Sequence, residues 1–420
     1  MSPESLLAWL NQHQFHGIKP GLKRIWALLS ALGNPERRFP SVHLAGTNGK
    51  GSTAAIVAGV LSAHGLRTGL YTSPHLVSVT ERFRLNGKEI SLERLAQILA
   101  RIRASVEELG IPVTYFEITT AAAFLFFAEE KVDLAVIECG LGGRLDATNV
   151  LRPEVAVITT VARDHMQFLG KTLAAIAREK AGIIKPGVPT VIGRLPPKAR
   201  EVVLDRTRRL QAPVYLFGRD FRVRQSISGL SFSGRRWRLS RLPLALSGDF
   251  QRYNLALALA SLEVLEEKGL FELKETPLRE ALASLKWPGR FEYFPVGPGV
   301  ILDGAHNEEG VKNLLRSLER RGIREYTLIF GATNEGGDKP YLRMLKKLAP
   351  RARRIYLCEP PGPRHPVTLE EWRARLPQAL HSRTVFSGPQ EALSQALSQR
   401  EPVVITGSLY LVGALRRLLA

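Results

Sequence analysis

The amino-acid sequence predicts an α/β protein, in which a doubly wound domain with a mainly parallel sheet precedes a smaller α/β domain. Residues 131–138 form an apolar run that ends in Glu138, which is typical of a parallel strand buried on both faces. Strand and helix patterns then alternate, as crossovers between parallel strands require. The alternation restarts after the breaker Trp287-Pro288-Gly289-Arg290. We therefore predict domains at 1–287 and 291–420, joined by a linker at 287–290.

Apolar periodicity places the individual elements. Helices are predicted within 4–33, around a turn at 16–21, and at 91–109, 119–130, 172–184 and 254–267. Strands are predicted at 66–71, 131–138, 155–160, 189–192, 300–303, 326–330, 354–357 and 402–406. Ser91 and Thr172 are the expected helix caps. Residues 221–244 instead show short alternating runs broken by Ser-Gly pairs at 228–229 and 233–234, which predict antiparallel strands.

A net charge of +20 over 420 residues restricts the partners. Such a charge fits nucleic acid, an acidic membrane surface or polyanionic small substrates. Arginine is spread along the chain, which favours a general surface bias together with anionic substrates. Cys139 and Cys358 are too few for a disulfide framework, no apolar run reaches membrane length, and residues 1–9 lack a signal-peptide pattern. We expect a soluble, cytoplasmic monomer that binds neither nucleic acid nor membrane.

The stretch 42–53, Val-His-Leu-Ala-Gly-Thr-Asn-Gly-Lys-Gly-Ser-Thr, joins an apolar strand to a helix through a glycine-rich turn. Its backbone N–H groups and the positive helix end suit a phosphate. Lys50 adds a cation, and the hydroxyl residues at 52 and 53 lie within reach of a phosphate-bound Mg²⁺. The generic Walker pattern is not met, because Leu44 stands where its first glycine belongs and Gly51 separates Lys50 from the hydroxyl residue. A glycine-rich turn with an accidental lysine therefore stays open as an alternative.

Polar groups also follow two other predicted strands. Ser73 and His75 lie after strand 66–71, where open α/β sheets place ligands, although turn chemistry at Ser-Pro explains them as well. Glu138 ends its strand beside the glycine-rich stretch 140–143. An unpaired carboxylate next to a phosphate site is costly, so we favour a metal-binding role over a structural one.

Eight motif stretches run in order across nearly the whole chain. They are Ala-Gly-Thr-Asn-Gly-Lys-Gly-Ser at 45–52, Tyr-Thr-Ser-Pro-His-Leu at 71–76, Glu-Cys-Gly-Leu-Gly-Gly-Arg-Leu-Asp-Ala-Thr-Asn at 138–149, Asp-His at 164–165, Arg-Glu-Lys-Ala-Gly-Ile at 178–183, Pro-Gly-Arg-Phe at 288–291, Asp-Gly-Ala-His-Asn at 303–307 and Thr-Gly-Ser-Leu-Tyr-Leu at 406–411. Together they resemble the folylpolyglutamate synthase/dihydrofolate synthase family of the Mur ligase superfamily. The resemblance implies a P-loop ATPase-type domain that binds ATP and folate, followed by a Rossmann-like glutamate-ligase domain. Residues 161–163 and Glu308-Glu309 depart from the usual family wording, but none of them is a proposed ligand.

The activity that this resemblance implies is an ATP-dependent ligation. ATP phosphorylates the carboxylate of a pteroate or folate, and the amine of L-glutamate then displaces phosphate to form an amide. Charge on the transferred phosphoryl group calls for cations and backbone N–H groups around it. ATP is the co-substrate and Mg²⁺ the cofactor. Whether the enzyme makes dihydrofolate, extends polyglutamate or does both stays open.

The resemblance also implies particular site residues at the matching positions. For ATP they are Gly46, Thr47, Asn48, Gly49, Lys50, Gly51, Ser52, Asn254, Arg290, Asp303 and His306. For Mg²⁺ they are Ser73, Glu138, His165 and Lys180, and for the pteroate group Thr114, Phe116, Asp146 and Ala147. The catalytic positions are Lys50, His165 and Lys180. Without the resemblance, Arg290 is a surface arginine, His306 a turn residue and Phe116 a core residue.

Lys180 is predicted to be carbamylated, because it stands in the family's Glu-Lys-Ala-Gly segment. An ammonium facing Mg²⁺ would repel it, whereas a carbamate anion helps to position a second Mg²⁺. Carbon dioxide adds only to a neutral amine, and neighbouring cations lower the pKa of a lysine. The alternative is a helix-end lysine that complements the helix dipole.

Two other function classes compete with this interpretation. A sister ligase of cell-wall synthesis would share the ATP chemistry, but such relatives usually carry a separate N-terminal domain, for which a phosphate loop near residue 45 leaves no room. A nucleic-acid-dependent P-loop ATPase is suggested by the charge alone, and no aromatic-basic recognition motif supports it. Glutamate-dependent release of ADP distinguishes the ligases from that ATPase.

Overall fold

Two compact α/β units, each with its own sheet, make up the chain. The structure is a computed structural model that describes residues 2–16, 19–227, 229–334 and 340–419. The first unit comprises Met1–Ala162, Lys171–Ala245 and Arg252–Leu285, and the second comprises Arg163–Gly170, Leu246–Gln251 and Lys286–Ala420. The predicted α/β class is confirmed. The assignment of two short inner segments to the second unit was not predicted, because periodicity reports elements and not the unit to which they belong.

Apart from short 3₁₀ turns, the described residues form the following helices and strands, in chain order. The helices are α1 (Pro3–Gln12), α2 (Lys23–Ala31), α3 (Lys50–Ala63), α4 (Leu92–Leu109), α5 (Tyr115–Glu129), α6 (Met166–Leu169), α7 (Leu173–Ala181), α8 (Pro197–Arg209), α9 (Gln251–Glu267), α10 (Glu275–Ser284), α11 (Glu308–Arg320), α12 (Tyr341–Leu348), α13 (Leu369–Arg375), α14 (Pro389–Leu397) and α15 (Leu409–Leu419). The strands are β1 (Ser41–Ala45), β2 (Thr68–Tyr71), β3 (Phe83–Leu85), β4 (Lys88–Glu89), β5 (Leu134–Glu138), β6 (Val155–Ile158), β7 (Thr190–Ile192), β8 (Val214–Leu216), β9 (Arg222–Ser226), β10 (Gly229–Ser233), β11 (Arg238–Leu242), β12 (Glu292–Phe294), β13 (Val300–Leu302), β14 (Tyr326–Phe330), β15 (Ala352–Leu357), β16 (Thr384–Phe386) and β17 (Val403–Thr406).

The main sheet of the first unit has the strand order β4-β3-β2-β5-β1-β6-β7-β8. β3 and β4 are antiparallel additions, and the other strands pair in parallel. Every residue of β1, β5 and β6 is buried, as expected for central parallel strands. Leu44 pairs with Glu138, and Ala45 pairs with Ile158. The loops that follow these three strands therefore emerge at one edge of the sheet.

Local capping signals explain several helix boundaries. Ser91 accepts a hydrogen bond from Arg94 N, and Thr172 accepts one from Ala175 N, so both predicted caps are confirmed. The helix predicted over 172–184 is wrong at its end, because α7 stops at Ala181. Gly182 follows and packs directly against the backbone of Arg144, where a side chain would not fit.

The strands predicted within 221–244 form a separate antiparallel sheet of the first unit, in the order β11-β10-β9. Glu263 on α9 accepts hydrogen bonds from Arg236 N at 3.0 Å and Trp237 N at 2.6 Å, which anchors this small sheet. Ser228 of one predicted Ser-Gly pair lies outside the described residues, as do Gly17 and Ile18 of the turn predicted at 16–21.

The second unit contains a sheet of order β12-β13-β17-β14-β15-β16, parallel except for the edge strand β12. Each unit holds one buried free cysteine, Cys139 in the first and Cys358 in the second. Across the described ranges, none of the helices combines the length and the apolar character needed to span a membrane.

Candidate functional site

The glycine-rich turn between β1 and α3 leaves the start of a helix open. Gly49 occupies the N-cap position with φ of 87°, and no side chain caps α3. A side chain at Gly49 would also lie 2.4 Å from Asn254 Oδ1, so only glycine fits. The first N–H groups of a helix have no acceptor within the helix itself, and together with the positive helix end they form a site for an anion.

The segment after β6 holds this turn in place. Thr160 O accepts from Thr47 N at 2.8 Å, and Thr160 Oγ1 accepts from Asn48 N at 2.9 Å. The Thr159 hydroxyl donates to Asn48 O at 2.7 Å. A Cβ on Gly46 would lie only 1.8 Å from Thr159 Oγ1. Sequence reasoning missed both threonines, although their place at the end of a strand beside β1 was a usable signal.

Lys50 connects the turn to the end of β5. Its Nζ donates to Gly46 O at 3.1 Å and lies 3.7 Å from Glu138 Oε1. Glu138 Oε2 accepts from Ser73 N at 3.1 Å. Both charged side chains are largely buried, with 15% and 6% of their surface exposed. Glu138 is therefore paired with Lys50 and does not need a metal ion to offset its charge, which corrects the reason given for its metal-binding role.

The predicted metal ligands divide between the two units. Ser73 and Glu138 are neighbours in the first unit, whereas His165 belongs to the second. Within the described ranges, no group of three or more His, Cys, Asp and Glu side chains is arranged to hold a metal ion. The structure therefore brings two of the oxygen-bearing candidates together and leaves the complete ligand set a prediction.

Thr114 and Phe116, two of the predicted pteroate residues, lie at the start of α5. Thr114 caps the helix: its Oγ1 accepts from Glu117 N at 3.2 Å and donates to Glu117 Oε2 at 2.9 Å. The half-buried Phe116 ring faces Gly140, where an added Cβ would lie 2.5 Å away. Phe116 thus packs against the loop that follows β5, and Gly140 provides the space for its ring.

Asp146 and Ala147 are buried in that same loop. Asp146 Oδ2 accepts from Leu141 N at 2.7 Å, and Oδ1 accepts from Thr148 N at 3.0 Å and from the Thr148 hydroxyl at 2.5 Å. Burial raises the pKa of Asp146, while these hydrogen bonds and the charge of Lys50 oppose the shift. The Asp146 carboxylate therefore stabilises the conformation of the loop that contains it.

Lys180 lies in the last turn of α7 and is only 3% exposed. Its backbone oxygen lies next to Gly143, where a Cβ would approach to 2.9 Å. Its charge contributes to lowering the pKa of Cys139 against the larger effect of burial. Lys180 is therefore not a surface lysine, although its place in the last turn of α7 fits the helix-dipole alternative.

In the second unit, Asp303 follows β13 and is 4% exposed. Its two oxygens accept from Phe291 N and Ala305 N, each at 3.0 Å. Burial raises the pKa of Asp303 to about 6, and the charge of Arg290 opposes this shift. Asp303 thus ties the backbone after Arg290 to the end of β13.

Asp164 contacts three further residues of the second unit. Its Oδ2 accepts from Asn307 Nδ2 at 3.0 Å and lies 3.5 Å from His306 Nε2, and its Oδ1 accepts from His165 N at 3.0 Å. His306 Nδ1 bonds to Gly304 O at 2.8 Å. Sequence reasoning recognised the Asp-His motif but assigned Asp164 no role.

Both parts of the chain match known domains. Residues 44–262 match the Mur ligase middle domain, and residues 289–409 match the glutamate ligase domain of Mur ligases. The folylpolyglutamate synthase of Lacticaseibacillus casei is 38% identical over 409 residues, which cover 94% of each chain. The dihydrofolate synthase/folylpolyglutamate synthase of Bacillus subtilis (strain 168) is 36% identical over 427 residues, covering 98% of this chain and 97% of that protein.

Solved structures agree with these matches. Mycobacterium tuberculosis folylpolyglutamate synthase complexed with ADP and AMPPCP has a TM-score of 0.89 and 33% identity, over 100% of this chain and 99% of that chain. A complex of a folylpolyglutamate synthase with AMPPCP and folate has a TM-score of 0.87 and 35% identity, over the full length of both chains.

Proposed function

We propose, on the premise that this chain belongs to the folylpolyglutamate synthase/dihydrofolate synthase family of Mur ligases, that it joins L-glutamate to the carboxylate of a pteroate or folate in an ATP-dependent reaction. The observation that carries the proposal is the uncapped start of α3 at Gly49, with Lys50 and Glu138 beside it. Relatives with AMPPCP and folate bound support the nature of the two substrates.

The proposed reaction has two steps, phosphoryl transfer and amide formation. A carboxylate oxygen of the pteroate attacks the γ-phosphorus of ATP, and ADP leaves with the electrons of the broken P–O bond. The amine of glutamate then attacks the acyl carbon, loses a proton and expels phosphate. The N–H groups at the start of α3 hold the phosphates, and Lys50 offsets their negative charge.

Magnesium fits the donors present at this edge of the sheet. Glu138 and the Ser73 hydroxyl supply oxygen atoms, the ligands that Mg²⁺ prefers, and we assign both to it. When bound, Mg²⁺ would neutralise charge on the ATP phosphates. Glu138 is already held by Ser73 N, which orients its carboxylate before any ion binds.

For the acceptor, we propose that Thr114, Phe116, Asp146 and Ala147 surround the pteroate group. Phe116 offers an aromatic face to the flat ring of the pteroate, and the Phe116 ring is itself positioned against Gly140. We further propose that Asn254, which lies beside Gly49 of the phosphate-binding turn, contacts ATP.

Lys180 is proposed to carry a carbamate. Its burial and its place in the Glu-Lys-Ala-Gly segment support this. Lys180→Ala should lose activity and regain part of it with acetate, whereas Lys198→Ala on the exposed face of α8 should change nothing. Full activity of Lys180→Ala without acetate would contradict the carbamate.

The decisive experiment measures release of ADP with glutamate plus either dihydropteroate or tetrahydrofolate. We expect ADP release to require glutamate and one of these acceptors, and which acceptor works defines the enzyme as a dihydrofolate synthase, a folylpolyglutamate synthase or both. Glu138→Gln should abolish turnover and keep the fold. ADP release that depends on a cell-wall precursor or on DNA instead would refute the proposal.

A further inference from the structure

Four buried side chains, those of His43, Cys139, Asp146 and Thr148, form one connected group in the first unit. His43 Nε2 lies 2.8 Å from Thr148 Oγ1 and 3.0 Å from Cys139 Sγ. Thr148 Oγ1 in turn lies 2.5 Å from Asp146 Oδ1. His43 and Thr148 are both 0% exposed. Of these four residues, only Asp146 has a role assigned above.

The direction of the hydrogen bonds follows from counting protons. Thr148 Oγ1 lies 2.5 Å from Asp146 Oδ1 and 3.4 Å from Cys139 Sγ, so the nearer carboxylate oxygen receives its single hydroxyl proton. Thr148 Oγ1 must then accept from His43, and Nε2 carries the imidazole proton. His43 Nδ1 has no hydrogen-bond partner among the described residues, which agrees with a neutral ring. Burial, assisted by the charge of Lys185, lowers the pKa of His43 to about 3.

This chain of hydrogen bonds, His43 to Thr148 to Asp146, connects two stretches that are distant in sequence, 42–53 and 138–149. His43 lies on β1, three residues before Gly46 of the phosphate-binding turn. Cys139 directly follows Glu138 at the end of β5, and Thr148 lies in the loop assigned to the pteroate group. One imidazole therefore contacts the strand end of the proposed metal site and the proposed pteroate loop.

We propose that His43 is a positioning residue for the pteroate substrate, acting through Thr148 to fix the Asp146 carboxylate and its loop. The proposal rests on the proposed function, because it needs Asp146 at the pteroate site. Hydrogen bonds to an ionised carboxylate are stronger than those between neutral groups, and the loss of one in a buried loop moves the loop. The effect should fall on the pteroate and spare ATP, because the phosphate-binding turn is held separately by Thr159 and Thr160.

The test compares variants that remove or keep the proton donor. Thr148→Val removes the hydroxyl at nearly constant volume, and Thr148→Ser keeps it. His43→Leu removes the donor, whereas His43→Gln can still present an N–H near the Nε2 position. Thr190→Val is the matched control, since Thr190 is also 0% exposed and its hydroxyl bonds only to Val188 O among the described residues, at 3.3 Å.

Initial rates are measured with dihydropteroate, or with tetrahydrofolate if the wild type uses only that acceptor. Thr148→Val and His43→Leu should raise the KM for the acceptor about tenfold and leave the KM for ATP within about twofold. Thr148→Ser and His43→Gln should recover most of this loss. Thr190→Val should lower the melting temperature without separating the two KM values.

Each other outcome overturns the proposal in a recognisable way. Equal changes in both KM values, or a lower melting temperature with unchanged kinetics, would make His43 a purely structural residue. If His43→Leu does not fold, a Thr148→Val protein with wild-type kinetics leads to the same conclusion. If the wild type turns over neither acceptor, the proposed function fails, and the positioning role fails with it.

Discussion

The β1–α3 junction of the first unit and the β13–α11 junction of the second both lead from a buried parallel strand into a helix. Gly49 starts α3 without any side-chain cap. Asn307 caps α11 instead, accepting from Gly310 N at 2.8 Å, and Glu308 and Glu309 follow in its first turn. The first helix start can receive an anion, while the second is satisfied internally and carries two negative charges.

The difference shows that a place at the end of a parallel strand does not by itself create a phosphate site. At the second junction, the Asp303 carboxylate accepts hydrogen bonds from the N–H groups of Phe291 and Ala305. Those two donors cannot bind a phosphate, so polar contacts from this loop come from side chains such as His306. Whether a junction binds phosphate is decided by which groups already occupy its backbone donors.

The largest expected difference between the junctions concerns their lysines. Lys50→Ala should lower kcat about a thousandfold, because it removes the cation beside the open helix start. Lys312→Ala on α11 should leave kcat unchanged, since Lys312 is exposed and pairs only with Glu309 among the described residues. Steady-state ADP release measures both. A Lys50→Ala enzyme within about tenfold of wild type would remove the functional distinction between the junctions.

The next difference is steric and concerns stability. An alanine Cβ at position 46 would meet Thr159 Oγ1 at 1.8 Å, Thr159 Cβ at 3.1 Å and the backbone N of Thr160 at 3.2 Å, so Thr159 and the backbone next to it must shift. At Gly304 the nearest atom is Leu409 Cδ2, the mobile end of a side chain. Gly46→Ala should destabilise by about 3 kcal/mol and Gly304→Ala by about 1 kcal/mol, as measured by urea unfolding. Restoration of part of the loss by Thr159→Ala in the Gly46→Ala background would identify the clash, and equal losses would contradict it.

Asp303 adds a pH dependence to the second junction. Its pKa of about 6 in the folded chain lies above its ordinary value, so its stabilising contribution is present below about pH 4 and is lost as the pH rises through 6. Asn at this position does not titrate, so the free energy of unfolding of Asp303→Asn minus that of the wild type should increase between about pH 4 and 7. Asp205→Asn on the surface of α8 is the control. A difference that does not change with pH would mean that Asp303 keeps its ordinary pKa in the folded chain.

The smallest effect concerns the cap itself. Asn307→Ala should cost about 1 kcal/mol, because Gly310 N loses its acceptor. Asn307→Ser should recover part of this, since a serine hydroxyl also caps helices. Thermal unfolding of the three proteins measures the series. A serine variant no better than alanine would place the stabilisation in the bond from Asn307 to Asp164 instead.

Sequence reasoning succeeded where the signal was local. The Ser91 and Thr172 caps act within one helical turn. The glycines of the turn at 46–51 indicate that other parts of the chain, here Thr159 and Asn254, pack closely against its backbone. Runs such as 326–330 were predicted with their observed bounds, because a buried parallel strand needs uninterrupted apolar residues.

It failed where partners are far apart in sequence. The pairing of Lys50 with Glu138 spans 88 positions, and that of Asp164 with Asn307 spans 143. Periodicity within one element carries no information about such pairs. In the structure, Thr114 and Asp146 accept hydrogen bonds from the backbone N–H groups of Glu117 and Leu141. A motif match alone cannot distinguish this structural role from ligand binding.

The two buried cysteines provide one intrinsic reporter for each unit. Burial raises the pKa of the Cys139 thiol, and it raises that of Cys358 to about 12, so neither forms the reactive thiolate readily in the native chain. Each therefore becomes alkylated only when its surroundings open. Labelling rates resolved by mass spectrometry would follow the opening of the first unit at Cys139 and of the second at Cys358, so that one unmodified protein reports two local unfolding equilibria.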